Sequence, residues 1–171
     1  TPAEPSTIDP VFQDNEDFGG ILYDNGATGT TNDDLYISSR QGHIYYSDGS
    51  SWTKSTTDDD RPYTGMQWVP ELDGGDGGVA VGVQDLQSTE RDTEEGGYYE
   101  LPFGGVNDIE EPEGNGYGTT EMSETTVIDF FVDTATVPNA LFVLTYGQGL
   151  WRGEYGNSSG ALFADPSWTH E

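Results

Sequence analysis

The chain has 171 residues, a length typical of one ordinary domain, and its 32 acidic and 5 basic residues give a formal charge of −27. This charge argues against nucleic-acid binding, which needs a basic surface, and against attraction to anionic membranes. No apolar run approaches the roughly 20 residues of a membrane-spanning helix, so no membrane insertion is expected. The lack of cysteine excludes disulfides and thiolate metal sites.

The acidity is accompanied by only one lysine, Lys54. Disordered acidic chains are poor in aromatic residues, whereas aromatic residues make up 12% of this chain and stand within β-like runs. An acidic surface of this density repels itself at low salt, and at about 1 M salt the screening length falls to about 3 Å. The composition therefore favours a folded protein of an extreme halophile, haloarchaeal or from a haloarchaeal virus, over an ordinary acidic surface protein.

In chain order, a segment rich in Pro, Asp and Glu comes first and predicts an irregular N-terminal arm over residues 1–18. Short strands separated by Gly, Asn and Asp turns follow, without a sustained helical period, and predict a single all-β domain over 19–171. The strands fall into three groups, with an acidic, glycine-rich surface loop before the last. The groups are roughly 19–57, 64–103 and 125–170, and the loop is 104–124.

The glycine before the third strand of each group recurs at Gly42, Gly97 and Gly149, at intervals of 55 and 52 residues. A repeat near 50 residues, made of about four short strands, is typical of β-propeller blades. The predicted fold is therefore all-β, with about three four-stranded, propeller-like blades. A β-sandwich or barrel stays open as an alternative, because a fourth strand is not evident in the second group.

Two segments carry a resemblance to a known family. Residues 35–53 run strand, glycine, strand and Asp-containing turn to a Trp, and 140–152 is similar to the start of the same unit. This layout resembles the sialidase-type (BNR, or Asp-box) propeller repeats. The family's box runs Ser-x-Asp-x-Gly-x-Thr-Trp, whereas the run from Ser47 to Trp52 is two residues shorter, so the box is degenerate. The resemblance implies a propeller fold, and motifs of this kind report fold rather than activity.

Candidate ligand-binding residues cluster around the recurring glycines. One member of each Tyr pair should point to each face of its blade, so part of the set is core and part is available to stack on sugars or fill a partner's pocket. Two arginines fall near equivalent blade positions, and a guanidinium binds a carboxylate bidentately. The predicted residues are Tyr46, Tyr98, Tyr146, Trp151, Arg40 and Arg152.

Calcium is the one metal that the sequence suggests, with Asp-rich clusters at 32–34 and 58–60 as candidate sites beside the one at Asp73 and Asp76. Asp73 and Asp76, within Asp-Gly-Gly-Asp-Gly-Gly, offer two oxygen ligands of the type that Ca²⁺ prefers. Glycine-rich acidic turns of the same composition also occur without a metal. No other cofactor is predicted.

The sequence lacks a convincing catalytic set. Its two histidines are His43, in a predicted strand, and His170, the penultimate residue, and no Gly-x-Ser-x-Gly elbow is present. The sialidase resemblance implies that catalysis needs an arginine cluster, a tyrosine nucleophile and paired acids, and nothing brings three arginines to one place. We therefore expect a non-enzymatic binding or structural module, recognising glycan or protein, that is extracellular and lies at a cell or virion surface. The alternative is a glycosidase-like hydrolytic propeller.

Counting blades predicts a partner. Closed propellers have four to eight blades, so three would leave two apolar blade faces in water. Exposed apolar patches usually mark an interface. We expect these faces to carry residues such as Ile44, Val81, Phe142 and Leu144, and to pair with a second copy or with other subunits of a larger assembly.

Overall fold

The computed structural model describes residues 17–24, 34–55, 61–70, 77–84, 96–102, 104, 106, 109, 125–135, 139–155 and 168–171. Within these segments the secondary structure consists of β-strands, and no helix is long and apolar enough to cross a membrane. The strands are β1 (Phe18–Asp24), β2 (Asp34–Ser39), β3 (Ile44–Ser47), β4 (Trp52–Lys54), β5 (Tyr63–Val69), β6 (Gly78–Val83), β7 (Tyr98–Pro102), β8 (Val127–Asp133), β9 (Asn139–Thr145), β10 (Gly149–Tyr155) and β11 (Trp168–His170).

The strands form three antiparallel sheets, each a simple meander in chain order. The first sheet is β1-β2-β3-β4, the second is β5-β6-β7 and the third is β8-β9-β10-β11. The all-β prediction is confirmed, and the second sheet has three strands in the described part of the chain. The barrel alternative is wrong, because the ladders stay separate and do not close on themselves. One isolated parallel bridge, Gly97 to Thr126, connects two of them.

The turn between β3 and β4 contains the run from Ser47 to Trp52. Asp48 Oδ1 accepts hydrogen bonds from the Ser50 amide (2.9 Å), the Ser50 hydroxyl (2.7 Å) and the Ser51 amide (3.1 Å). Gly49 adopts φ of 83°, a left-handed conformation that side chains disfavour. The hydrogen bonds, those from Ser50 foremost, lower the pKa of Asp48 to about 2. The aspartate therefore stabilises a hairpin turn.

The second sheet is the middle layer of the stack, and both of its faces are covered. Strand β6 is buried along its whole length, which explains its nearly continuous apolar sequence. One core lies between the first and second sheets and contains Tyr36, Ile44, Tyr63, Val79, Val81, Val83, Tyr99, Leu101 and Val106. The other lies between the second and third sheets and contains Val69, Ala80, Tyr98, Val127, Phe130, Leu141, Val143 and Trp151.

The first strands of the three sheets approach one another closely, with β5 between β1 and β8. A Cβ atom on Gly20 would lie 2.7 Å from the Thr64 carbonyl oxygen, and one on Gly65 would lie 3.2 Å from a β8 carbonyl, so only glycine fits comfortably. The Ser38 hydroxyl donates to the Thr64 carbonyl (2.8 Å), and the Thr64 hydroxyl donates to the Val127 carbonyl (2.8 Å). Thr64 therefore links all three sheets where they come together.

Candidate interaction surfaces

No described sheet is stacked on the side of the first sheet that faces away from the second, which we call the first outer face. Because side chains alternate along a strand, the pairing register assigns its members. Ile21 pairs with Ile37 and Ile37 with Tyr45, which is opposite Lys54; Tyr23 pairs with Leu35, Leu35 with Ser47, and Ser47 with Trp52. The face is therefore Ile21, Tyr23, Leu35, Ile37, Tyr45, Ser47, Trp52 and Lys54.

The first outer face is apolar and open on the side of β1. Ile21 is 69% exposed and Tyr23 is 57% exposed, whereas Tyr45 and Ser47, on β3, are buried. The Lys54 ammonium lies 6.0 Å from the centre of the Tyr45 ring, within reach of a cation–π interaction. None of the described residues that the register places on this face is acidic. The face thus combines apolar side chains with the single lysine of the chain.

The corresponding side of the third sheet, the third outer face, is also apolar at its centre. Register places Phe131, Phe142 and Arg152 in one row across the sheet, and Asp129, Leu144 and Leu150 in the next. The Phe131 and Phe142 rings lie 6.0 Å apart, and Phe131 is 63% exposed. The Arg152 guanidinium donates to Glu154 Oε1 at 2.6 Å on the same face. This face therefore mixes exposed apolar side chains with charged ones.

Only some of the residues expected on exposed blade faces lie on the two outer faces. Leu144 is exposed on the third outer face, and Phe142 beside it is half-buried. Ile44 and Val81, expected on free faces, are instead fully buried. The expectation was wrong for these two because Ile44 points toward the second sheet, and Val81 belongs to the middle layer, which has no free face.

Tyr46 lies on the inner side of the first sheet. Its hydroxyl donates to Asp34 Oδ1 at 2.7 Å, and its ring lies 4.9 Å from that of Tyr36. Burial, followed by the hydrogen bond to Asp34 and the charge of that carboxylate, raises the pKa of Tyr46 above its ordinary value. The Tyr36 hydroxyl in turn accepts from the Gly104 amide (2.8 Å). Tyr46 thus belongs to a hydrogen-bonded network at the edge of the first core.

Tyr98 and Trp151 lie in the second core. Tyr98 is 1% exposed, its hydroxyl donates to the buried Glu100 (3.2 Å), and its ring meets those of Phe130 and Trp168 edge-to-face at 5.8 Å. Trp151 is also buried, against the third sheet's own edge strand. In this conformation both aromatic rings contact protein and are closed to a bound ligand.

The remaining predicted residues are dispersed. Tyr146 is exposed in the turn after β9, Arg40 is exposed in the turn after β2, and Arg152 is ion-paired on the third outer face. Asp73 and Asp76 lie outside the described residues. Within the described segments, no group of three or more His, Asp or Glu side chains is arranged to hold a metal ion. The structure therefore does not gather the predicted set into one site.

Sequence reasoning missed the exposed β1 and β8 residues, above all Ile21, Tyr23 and Phe131. Alternation along each strand was visible in the sequence, but it does not tell which of two apolar faces a neighbouring sheet covers. Comparison with protein-family models, with curated proteins and with solved structures finds no match to this chain. A function for the outer faces is therefore inferred from the chemistry of their residues alone.

Proposed function

We propose that this chain is a non-enzymatic structural module of a halophile, in which the three sheets are blades of an incomplete β-propeller and the two outer faces bind protein subunits. The observation that carries the proposal is the first outer face. It shows no acidic residue among its described members although the chain has 32, and it holds the only lysine. Selection against carboxylates on one face is expected where that face meets another protein.

The chemistry of this face is that of an interface core. Such cores are depleted in charge and enriched in aromatic residues, and contiguous exposed apolar patches on soluble proteins usually mark contact sites. Ile21 and Tyr23 expose most of their surface, and Trp52 is half-buried at the opposite edge of the same face. A protein partner is favoured over a glycan because the aromatic residues first considered for sugar stacking are divided between cores and turns.

The same features support a place at a cell surface or in a virion shell. The large negative charge is tolerated where salt screens it, and it keeps the remaining surface soluble and monodisperse. A small module with two apolar outer faces is suited to binding neighbouring subunits of the same or another chain. The charge also supports the absence of nucleic acid among the partners.

Sedimentation velocity in molar salt tests the proposal. We expect the wild type to sediment as a species larger than its 18.6 kDa monomer, and a Tyr23→Asp/Phe131→Asp variant to sediment as a folded monomer. Thr53→Asp is the matched control, because it adds a charge at an exposed position of β4 that points away from Lys54. Equal masses for wild type, double variant and control would contradict the proposal. Glycoside turnover abolished by Arg152→Ala would favour the hydrolytic alternative instead.

A further inference from the structure

We infer that the partner of the first outer face is the third outer face of a second copy of this chain, so that two copies close a six-bladed ring. This inference rests on the proposed function and deepens it by naming the partner. Ring closure is expected to cover every blade on both faces, as the middle sheet already is, and propellers of four to eight blades are the sizes at which this occurs.

The first outer face has the composition of a face that is covered elsewhere in the same chain. Across the first sheet it presents the row Ile21, Ile37 and Tyr45. The second sheet presents the equivalent row Met66, Val81 and Tyr99, on the face that packs against the first sheet. In both rows an aliphatic side chain on the first strand is followed by a β-branched residue and then by a tyrosine.

A cation accompanies the tyrosine in both rows. The Lys54 ammonium lies 6.0 Å from the Tyr45 ring centre, and the Arg61 guanidinium lies 5.2 Å from that of Tyr99. Cations are scarce in this chain, with five in 171 residues, so a cation beside the tyrosine of both rows is informative, although Lys54 comes from β4 and Arg61 from the segment before β5. The first outer face is therefore built like the covered face of the second sheet, which receives the inner face of the sheet before it.

The orientation of the sheets identifies the matching surface. All three are meanders that start at the centre, because β5 lies between β1 and β8. At each internal junction, the side of one sheet that faces the following sheet packs against the side of that following sheet that faces back. The first and third outer faces are the two members of this series on which no described sheet is stacked. A junction between the first outer face of one copy and the third outer face of another has the same geometry as the two internal junctions. If a face paired with the same face of a second copy, one of the two sheets would be turned the other way round.

Charge is consistent with this pairing. The third outer face carries Asp129 and Glu154, with Arg152 ion-paired to Glu154, whereas the described part of the first outer face carries Lys54 and no acid. Opposed to a second copy of itself, either face would place like charges together. Opposed to each other, they place Lys54 across from a face with an excess of carboxylates.

Blocking variants test the pairing in molar salt. We expect the wild type to form a species of twice 18.6 kDa and no larger. Ile21→Asp and Phe131→Asp should each be monomeric alone, with dimer affinity reduced about 30-fold or more, the loss typical of a central interface residue. Both side chains are largely exposed, so each variant should keep the wild-type circular dichroism and unfold cooperatively, with a lower melting temperature only because the stabilising partner is lost.

Engineered thiols test which faces meet, and the chain has no cysteine to interfere. An isotope-labelled Ile21→Cys protein is mixed with an unlabelled Phe131→Cys protein and treated with a short, flexible bis-maleimide. We expect crosslinks that join labelled to unlabelled chains, few within either protein alone, and none with Thr53→Cys. Three results would overturn the pairing and leave the proposed function intact. They are crosslinks mainly between identical variants, dimers of either Asp variant alone, and wild-type assemblies of more than two copies. A monomeric wild type would overturn both the pairing and the proposed function.

Discussion

Replacing Thr64 by valine tests whether its hydroxyl holds the three sheets together. The substitution keeps the size and β-branching of the side chain but removes the donor to the Val127 carbonyl (2.8 Å). Val127 is fully buried, so water does not readily replace the lost donor. An unsatisfied buried acceptor costs about 1–3 kcal/mol. For a domain of this size, each kcal/mol lowers the melting temperature by roughly 2–4 °C.

Urea denaturation in molar salt, followed by tryptophan fluorescence, measures this loss. Thr64→Ser is the matched control, because it keeps the hydroxyl and removes one half-buried methyl group, a change of at most about 0.8 kcal/mol. The valine variant should therefore be the less stable of the two. If it is as stable as the serine variant, the hydrogen bond contributes nothing and the sheets are held by apolar packing alone.

The shape of the transition carries a second result. If the two apolar cores keep the sheets in one cooperative unit without the hydroxyl, the valine variant should still unfold in a single transition, with a lower midpoint and an unchanged dependence on urea. Two separate transitions in the valine variant, against one in the serine variant, would show that the hydroxyl couples the sheets. The Ser38 bond to the Thr64 carbonyl survives in both variants, because it uses the backbone.

Three further predictions follow from the turns and the charge. NMR titration should place the pKa of Asp48 at about 2, and Ser50→Ala should raise this pKa. Because the folded pKa lies below the unfolded one, the turn's contribution to stability is complete above the ordinary aspartate pKa and is lost as pH falls through about 2. A native pKa of about 4 would contradict the turn geometry. Gly77→Ala should destabilise the protein more than Gly104→Ala. Both glycines have a positive φ (82° and 77°), but only at Gly77 would the added carbon overlap the Trp68 ring. Equal losses of stability would refute this packing. The melting temperature should rise as salt increases from about 0.1 M to about 1 M, where the screening length falls from about 10 Å to about 3 Å, and an unchanged value would refute salt adaptation.

The strands and their grouping could be predicted from the sequence, because turn glycines and β-branched runs act locally. Alternation also held for the Tyr pairs: Tyr98 faces the third sheet and Tyr99 faces the first. The stacking order could not be predicted, since it depends on close approaches such as Gly20 against Thr64, which no local pattern encodes. For that reason Tyr98, predicted to bind a ligand, lies in a core, while Ile21, which drew no attention, is exposed.

The site was less predictable than the fold for a physical reason. An arginine or tyrosine in a strand has the same local sequence whether its side chain is ion-paired, buried or open to a partner. Arg152 illustrates this: its pairing with Glu154 two residues on is a property of one face of β10, visible only once the strand's neighbours are known. A lack of acids on one face, as among the described residues of the first outer face, can be recognised only once the strand register is known.

The meander order of the sheets has a consequence for how the chain is made. Every strand pairs with its neighbour in sequence, so each sheet closes short loops and can form as soon as its own segment is available. During synthesis the first two sheets can bury Tyr36 and Val81 against each other before β8 is complete. One apolar face of the second sheet then stays exposed to water until the third sheet is synthesised and packs against it. Its strand β6, protected from both sides at the end, should be the slowest of all to exchange its amide protons.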